Sequence, residues 1–162
     1  MNNITIISEA FGQGEKIPVE YTCDGNDRSP QLTWTGIPDN TVSIALIMYD
    51  PDSAIPPFIH WVIYNISPSI RGLPKWIPNS PTLTPWPFGA SEDSSYQALN
   101  DFGKVGYGGP CPPSGKPHRY FFKIYALSIR LNIPPGTPNA YVRQHMEGDI
   151  LATGELIGIY ER

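Results

Sequence analysis

Five short runs rich in β-branched and aromatic residues, each closed off by Pro, Gly, Asn or Asp, set narrow limits on how this chain can fold. They are Ile4 to Ile7, Val42 to Tyr49 (VSIALIMY), Ile59 to Ile66 (IHWVIYNI), His118 to Leu127 (HRYFFKIYAL) and Glu155 to Tyr160 (ELIGIY). Runs of this length and composition read as strands, so the chain is mainly β. One segment has helical period: Thr137 is placed to cap it, Pro138 suits its first turn, Val142, Met146 and Ile150 form an apolar stripe, and Gly154 can end it. Between Arg71 and Gly109 lies a long proline- and aromatic-rich stretch with little periodicity, too long for an ordinary connection. It reads as a packed irregular excursion with Trp76, Trp86 and Phe88 buried, or else as a lid.

The length, 162 residues, is that of one domain spanning 1–162, with no internal repeat and no linker to divide it. A net charge of −4, with 11 Lys plus Arg and no basic run, argues against nucleic acid as a main partner. The opening residues, MNNITIISEAFGQGEKIPVEYT, lack the charged start and long apolar core of a signal peptide, so a cytoplasmic location is expected. No apolar run approaches the roughly 18 residues of a membrane span. Cys23 and Cys111 are too few for a disulfide scaffold or a thiolate zinc site. Two reduced thiols are the first reading. A bridge is the second, because each cysteine lies among Gly, Pro or Asp rather than in an apolar run, and intracellular disulfides occur in hyperthermophiles.

The residues able to carry chemistry cluster at strand beginnings. Strict alternation puts His60, Val62, Tyr64 and Ile66 on one face of their strand, opposite Trp61 and Ile63. On HRYFFKIYAL it groups His118, Tyr120, Phe122 and Ile124, with Arg119, Phe121, Lys123 and Tyr125 facing away. If these two strands are neighbours, two imidazoles and a phenol converge at one end of the sheet, beside the loops Tyr49 to Phe58 and Gly106 to Pro117. The second loop, GYGGPCPPSGKP, has glycines whose N–H groups could face an anion and prolines that would keep them in place. Asp50 and Asp52 flank Pro51 just ahead of His60; as loop caps they are ordinary, and beside an anion they would orient a histidine or meet a cationic part of the ligand. His145 reads as a partly exposed helix residue, and Trp34 and Trp61 as core.

In combination these blocks resemble a known family. DPD followed by HWVIYNI, then GYGGPCPP and HRYFFKIYAL, together with YTCDGNDRSPQLTWTGIP and NDFG, is similar to the phosphatidylethanolamine-binding proteins, also called Raf kinase inhibitor proteins, in their bacterial and archaeal branch. The likeness covers nearly the whole chain. It implies a large central antiparallel or mixed β-sheet packed on a smaller sheet, few helices, and an anion pocket at one end of the large sheet. Carried over residue by residue, that pocket comprises Asp50, His60, Gly109, Pro110, His118 and Tyr120. The chain departs from the family pattern after DPD, where Ser53 and Ala54 replace Ala-Pro, and at Asp149, where many prokaryotic members carry histidine.

Three functions follow as expectations. The first is a non-enzymatic module that holds phosphate or a phosphoethanolamine headgroup and regulates a partner protein. The second is a serine protease inhibitor, with Ser53 to Phe58 or Leu73 to Phe88 as the rigid loop and chymotrypsin- or elastase-like targets. The third is a small hydrolase, disfavoured because neither G-x-S-x-G nor H-E-x-x-H occurs. No cofactor and no metal are expected, and homodimer formation is an option the prokaryotic branch leaves open.

Overall fold

The computed structural model describes residues 4–83 and 94–162. Its strands, in chain order, are β1 (Thr5–Ile7), β2 (Glu15–Lys16), β3 (Leu32–Thr35), β4 (Ser43–Asp50), β5 (Phe58–Ile66), β6 (Gly72–Leu73), β7 (Thr82–Leu83), β8 (Ser95–Gln97), β9 (His118–Leu127) and β10 (Ile150–Tyr160), with one helix, α1 (Asn139–Met146), between the last two. They form a three-stranded sheet in the order β1-β3-β6 and a seven-stranded sheet in the order β2-β10-β9-β4-β5-β8-β7. All pairings are antiparallel except β2 with β10.

The large sheet is covered on both faces. On one, Met48, Trp61, Phe122, Ile124 and Leu156 pack against Leu32, Trp34, Ile4 and Ile6 of the small sheet and the chain leading into it. On the other, Ala45, Ile47, Val62 and Tyr64 pack against Val142 and Met146 of α1 and against Leu131 and Ile133. A strand buried on both faces must be apolar at successive positions, which is why β4 and β5 read as almost continuous apolar runs. β9 keeps its alternation, with Tyr120, Phe122 and Ile124 on the small-sheet face and Tyr125 on the other.

The helix is shorter than its apolar spacing indicates. Thr137 does not cap it: its hydroxyl donates to the Pro134 carbonyl, and Pro138 occupies the N-cap without a side-chain bond. Gly148, at φ +87°, turns the chain out of the helix just after Met146, so Ile150 opens β10 and Gly154 lies within that strand. The excursion from Arg71 is structured in its described part: β6 joins the small sheet, and β7 and β8 extend the large one. Trp76 is 38% exposed rather than buried, and its indole is in contact with the Arg28 and Lys75 cations. Trp86 and Phe88 lie outside the described residues.

Candidate functional site

β5 and β9 are not neighbours; β4 runs between them. Their histidines still meet, for two local reasons. β4 stops at Asp50, so nothing separates the flanking strands beyond that point. In β5, Met48 pairs with Trp61 and Tyr49 with Ile59, leaving His60 as an extra residue, a β-bulge. The bulge puts His60 on the same side as Trp61, whereas Val62 and Tyr64 face α1. A second irregularity, where Asn65 adopts φ +58°, brings Ile66 to the Trp61 side as well. The simple alternation that grouped His60 with Val62 and Tyr64 is thus broken at both ends of the strand, and the break is what aims the His60 ring toward Tyr120, 5.3 Å away between centroids.

Each imidazole is held through Nδ1. His118 Nδ1 lies 2.7 Å from Asp50 Oδ2, with both side chains buried. His60 Nδ1–H donates to the Gly108 carbonyl at 2.7 Å. The other oxygen of Asp50 accepts the Asp52 N–H at 2.7 Å. Asp52 itself turns to Arg119, accepting from its backbone N–H, Nε and Nη2; these bonds hold the Asp52 carboxyl at about 2. Burial pushes His60 below the usual imidazole value against the opposing pull of the Gly108 carbonyl and Asp50. Burial raises the Tyr120 phenol, and Asp50 raises it further.

Asp50, His60, His118 and Tyr120 form the floor of a cavity of about 370 Å³. Its walls are mostly apolar, Ala54, Phe58, Phe102, Pro112 and Pro113, and Cys111, Lys116, Ser53 and Asp52 complete the lining. The chain returning from the excursion fixes the bulged edge of β5. Asp101 exchanges bonds with Ile59, its N–H to the Ile59 carbonyl and its carboxylate from the Ile59 N–H, each 2.8 Å. The Gly108 N–H donates to the His60 carbonyl at 3.0 Å.

Of the residues expected from sequence, Asp50, His60, His118 and Tyr120 come together, while Gly109 and Pro110 lie behind the wall. The expectation that the glycine N–H groups face the cavity is not met. Gly109 N–H donates to Asp27 Oδ1 at 2.7 Å, and Gly106 N–H to the Ala98 carbonyl. Gly109 is needed for another reason: a Cβ there would collide with the Tyr21 carbonyl and the Asp27 carboxylate. The Pro110 carbonyl accepts the Cys23 N–H, and next to it Cys23 and Cys111 are bridged, Cα atoms 5.4 Å apart across 88 residues of sequence. Of the two readings of the cysteines, the bridge is the one the structure forms. Sequence reasoning missed Phe58, Phe102 and Lys116 as lining residues; for Phe102 the signal was its place in NDFG, immediately before the glycine loop.

Fold and cavity together define a two-sheet β protein with a polar-floored pocket at the end of its large sheet. The family model described as phosphatidylethanolamine-binding protein matches residues 7–161, and the chain belongs to that family. It is 46% identical to a UPF0098 protein of Aquifex aeolicus over 97% of this chain and 88% of the relative. It is 44% identical to a UPF0098 protein of Methanothermobacter thermautotrophicus, covering 96% and 97%. Among solved structures it resembles Escherichia coli YbcL, described as a new member of the mammalian PEBP family, with TM-score 0.85, 31% identity and 99% of both chains covered. A phosphatidylethanolamine-binding protein homologue of Chlamydia trachomatis gives TM-score 0.82 at 35% identity, covering 100% and 99%. Among the described residues no helix is long and apolar enough to cross a membrane.

Proposed function

We propose that the cavity is a non-enzymatic binding site for a small oxyanion, phosphate or the phosphate of a phosphoethanolamine headgroup, and that its occupancy regulates a partner protein. The observation that carries this reading is the convergence of His60, His118 and Tyr120 around buried Asp50 in a preformed cavity. Against hydrolysis, the nearby nucleophile candidates are engaged: Cys111 is in the disulfide, and the Ser53 hydroxyl donates to the Asp50 carbonyl. Phosphate and phosphoethanolamine titrations followed through the imidazole NMR signals test it, with His60→Ala and His118→Ala as controls. Saturable shifts of both rings, lost in the variants, are expected; silent rings at millimolar ligand overturn the reading.

A second reading, inhibition of a serine protease, draws on one observation. Ile55 is 86% exposed on a loop whose base is tied down by Asp50, Asp52 and Arg119. Such a side chain could enter an apolar specificity pocket without a large ordering cost. Undiminished chymotrypsin and elastase rates at micromolar protein would remove it.

A further inference from the structure

The hydrogen-bond inventory of the cavity floor is unusual for an anion site. A neutral imidazole has one donor and one acceptor nitrogen. In His60 the Gly108 carbonyl, which can only accept, fixes the proton on Nδ1. In His118 the Asp50 carboxylate does the same. Among the described residues no hydrogen bond takes the Nε2 of either ring, so both rings, when neutral, offer the cavity a lone pair. The N–H groups of Gly106, Gly108 and Gly109 are bonded within the protein, which leaves the Tyr120 hydroxyl, beside Asp50, as the neutral donor of the floor. On the same floor, bonded to His118, lies the Asp50 carboxylate, only 3% exposed. Among the described residues Lys116 is the one cationic side chain lining the cavity; Asp52, which also lines it, is paired with Arg119.

An oxyanion with no proton would therefore meet, beside the Tyr120 hydroxyl and Lys116, two ring lone pairs and a buried negative charge. Resting on the oxyanion reading above, we infer that the cavity selects an oxyanion that brings its own proton, of which hydrogen phosphate is the simplest, over sulfate of the same shape. The ligand O–H donates to an Nε2, and the tautomers fixed by Gly108 and Asp50 make that donation the favourable contact. Sulfate, which holds no proton near neutral pH, enters only when a ring takes one up from solvent. The groups that face His60 are Asp50 on β4, Asp101 and the Gly108 and Gly109 backbone on the returning chain, and Tyr120 on β9. Those facing His118 are Asp50, Asp52 and Tyr120. Burial lowers the His60 value more than Asp50 and Asp101 raise it, so the neutral acceptor state is favoured there.

Calorimetric titrations with inorganic phosphate and with sulfate, at matched ionic strength between about pH 6 and pH 8, test this. Phosphate should bind at least about tenfold more tightly than sulfate near pH 8, and the gap should narrow as pH falls to the lower end of that range. Sulfate binding should also draw about one proton from the buffer, read from the dependence of the heat on buffer ionisation enthalpy. Asp50→Asn, whose amide can donate to Nδ1 and release the opposite tautomer, should strengthen sulfate binding near pH 8 and bring the ratio toward unity; an unchanged ratio in the folded variant overturns the role given to Asp50. Equal affinities for the two anions in the wild-type protein near pH 8 overturn the inference alone. Absence of binding by either anion near pH 6 overturns the oxyanion reading with it. The wild-type comparison decides the matter whether or not the variant folds.

Discussion

The floor and the lip of the cavity are built by different means. The floor consists of side chains on β4, β5 and β9, held by the ladders of a seven-stranded sheet and by buried contacts on both of its faces. The lip, Gly106 to Pro113, has no strand of its own. It is held by point attachments: Gly109 to Asp27, Tyr107 Oη to the Tyr21 carbonyl at 2.7 Å, Cys23 N–H to Pro110, and the disulfide. A ladder spreads its stabilisation over many bonds, and a set of ties concentrates it in a few. The lip should therefore be the part that single substitutions disturb most, and the floor the part that responds to pH.

Four experiments press on that contrast. Replacing both cysteines with serine removes the constraint on an 88-residue separation. Chain-entropy reasoning sets the loss at about 4 to 5 kcal/mol, and a loss within the usual range of about 2 to 5 kcal/mol is expected in denaturant melts. A loss near zero would mean that the other ties already hold the lip. Next in size is Gly109→Ala, which forces a methyl against the Tyr21 carbonyl and Asp27 and should cost about 1 to 3 kcal/mol in the same melts.

The third addresses the floor. Burial lowers the folded-state value of His60, so the unfolded chain takes up the proton first as pH falls. This contribution is fully present above the ordinary imidazole value near 6.5 and declines as pH drops below it, until the folded ring also protonates. Stability measured from neutral to mildly acid pH should fall less steeply in His60→Gln than in the wild type; identical slopes would show the ring to be unperturbed. The smallest effect belongs to Asp52→Asn at the rim, where both members of the ion pair are partly exposed and water screens them. The Asp52 carboxyl, held at about 2, supports the fold above its unfolded value near 3.9 and loses that support as pH falls toward 2. The variant should match the wild type near pH 2 and be slightly less stable at neutral pH, as thermal melts at the two values would record.

The same contrast explains what could be read from the sequence. Strand existence was legible because burial on one or both faces leaves its pattern in the residue types, and β9 obeys alternation from His118 to Tyr125. The four floor residues were legible for the same reason, helped by the family likeness. The face of His60 was not, since a bulge adds a residue without changing composition, and strand order was not, because β4 carries no mark that it separates β5 from β9. The helix was read too long because Ile150 happens to continue the spacing of Val142 and Met146, while Gly148 ends the helix by its backbone conformation. Gly109 was read as a ligand-facing glycine when its bare Cα serves the approach of the Asp27 loop.

The bulge in β5 also makes the site detachable from its scaffold. Because His60 is the residue that the β4–β5 register passes over, removing it would leave Ile59 and Trp61 as consecutive partners of Tyr49 and Met48, with each still directed to the face it occupies now. The ring behaves as an insertion into an otherwise regular ladder. A relative that lacked this single residue could retain the complete sheet and its core while dispensing with half of the imidazole pair.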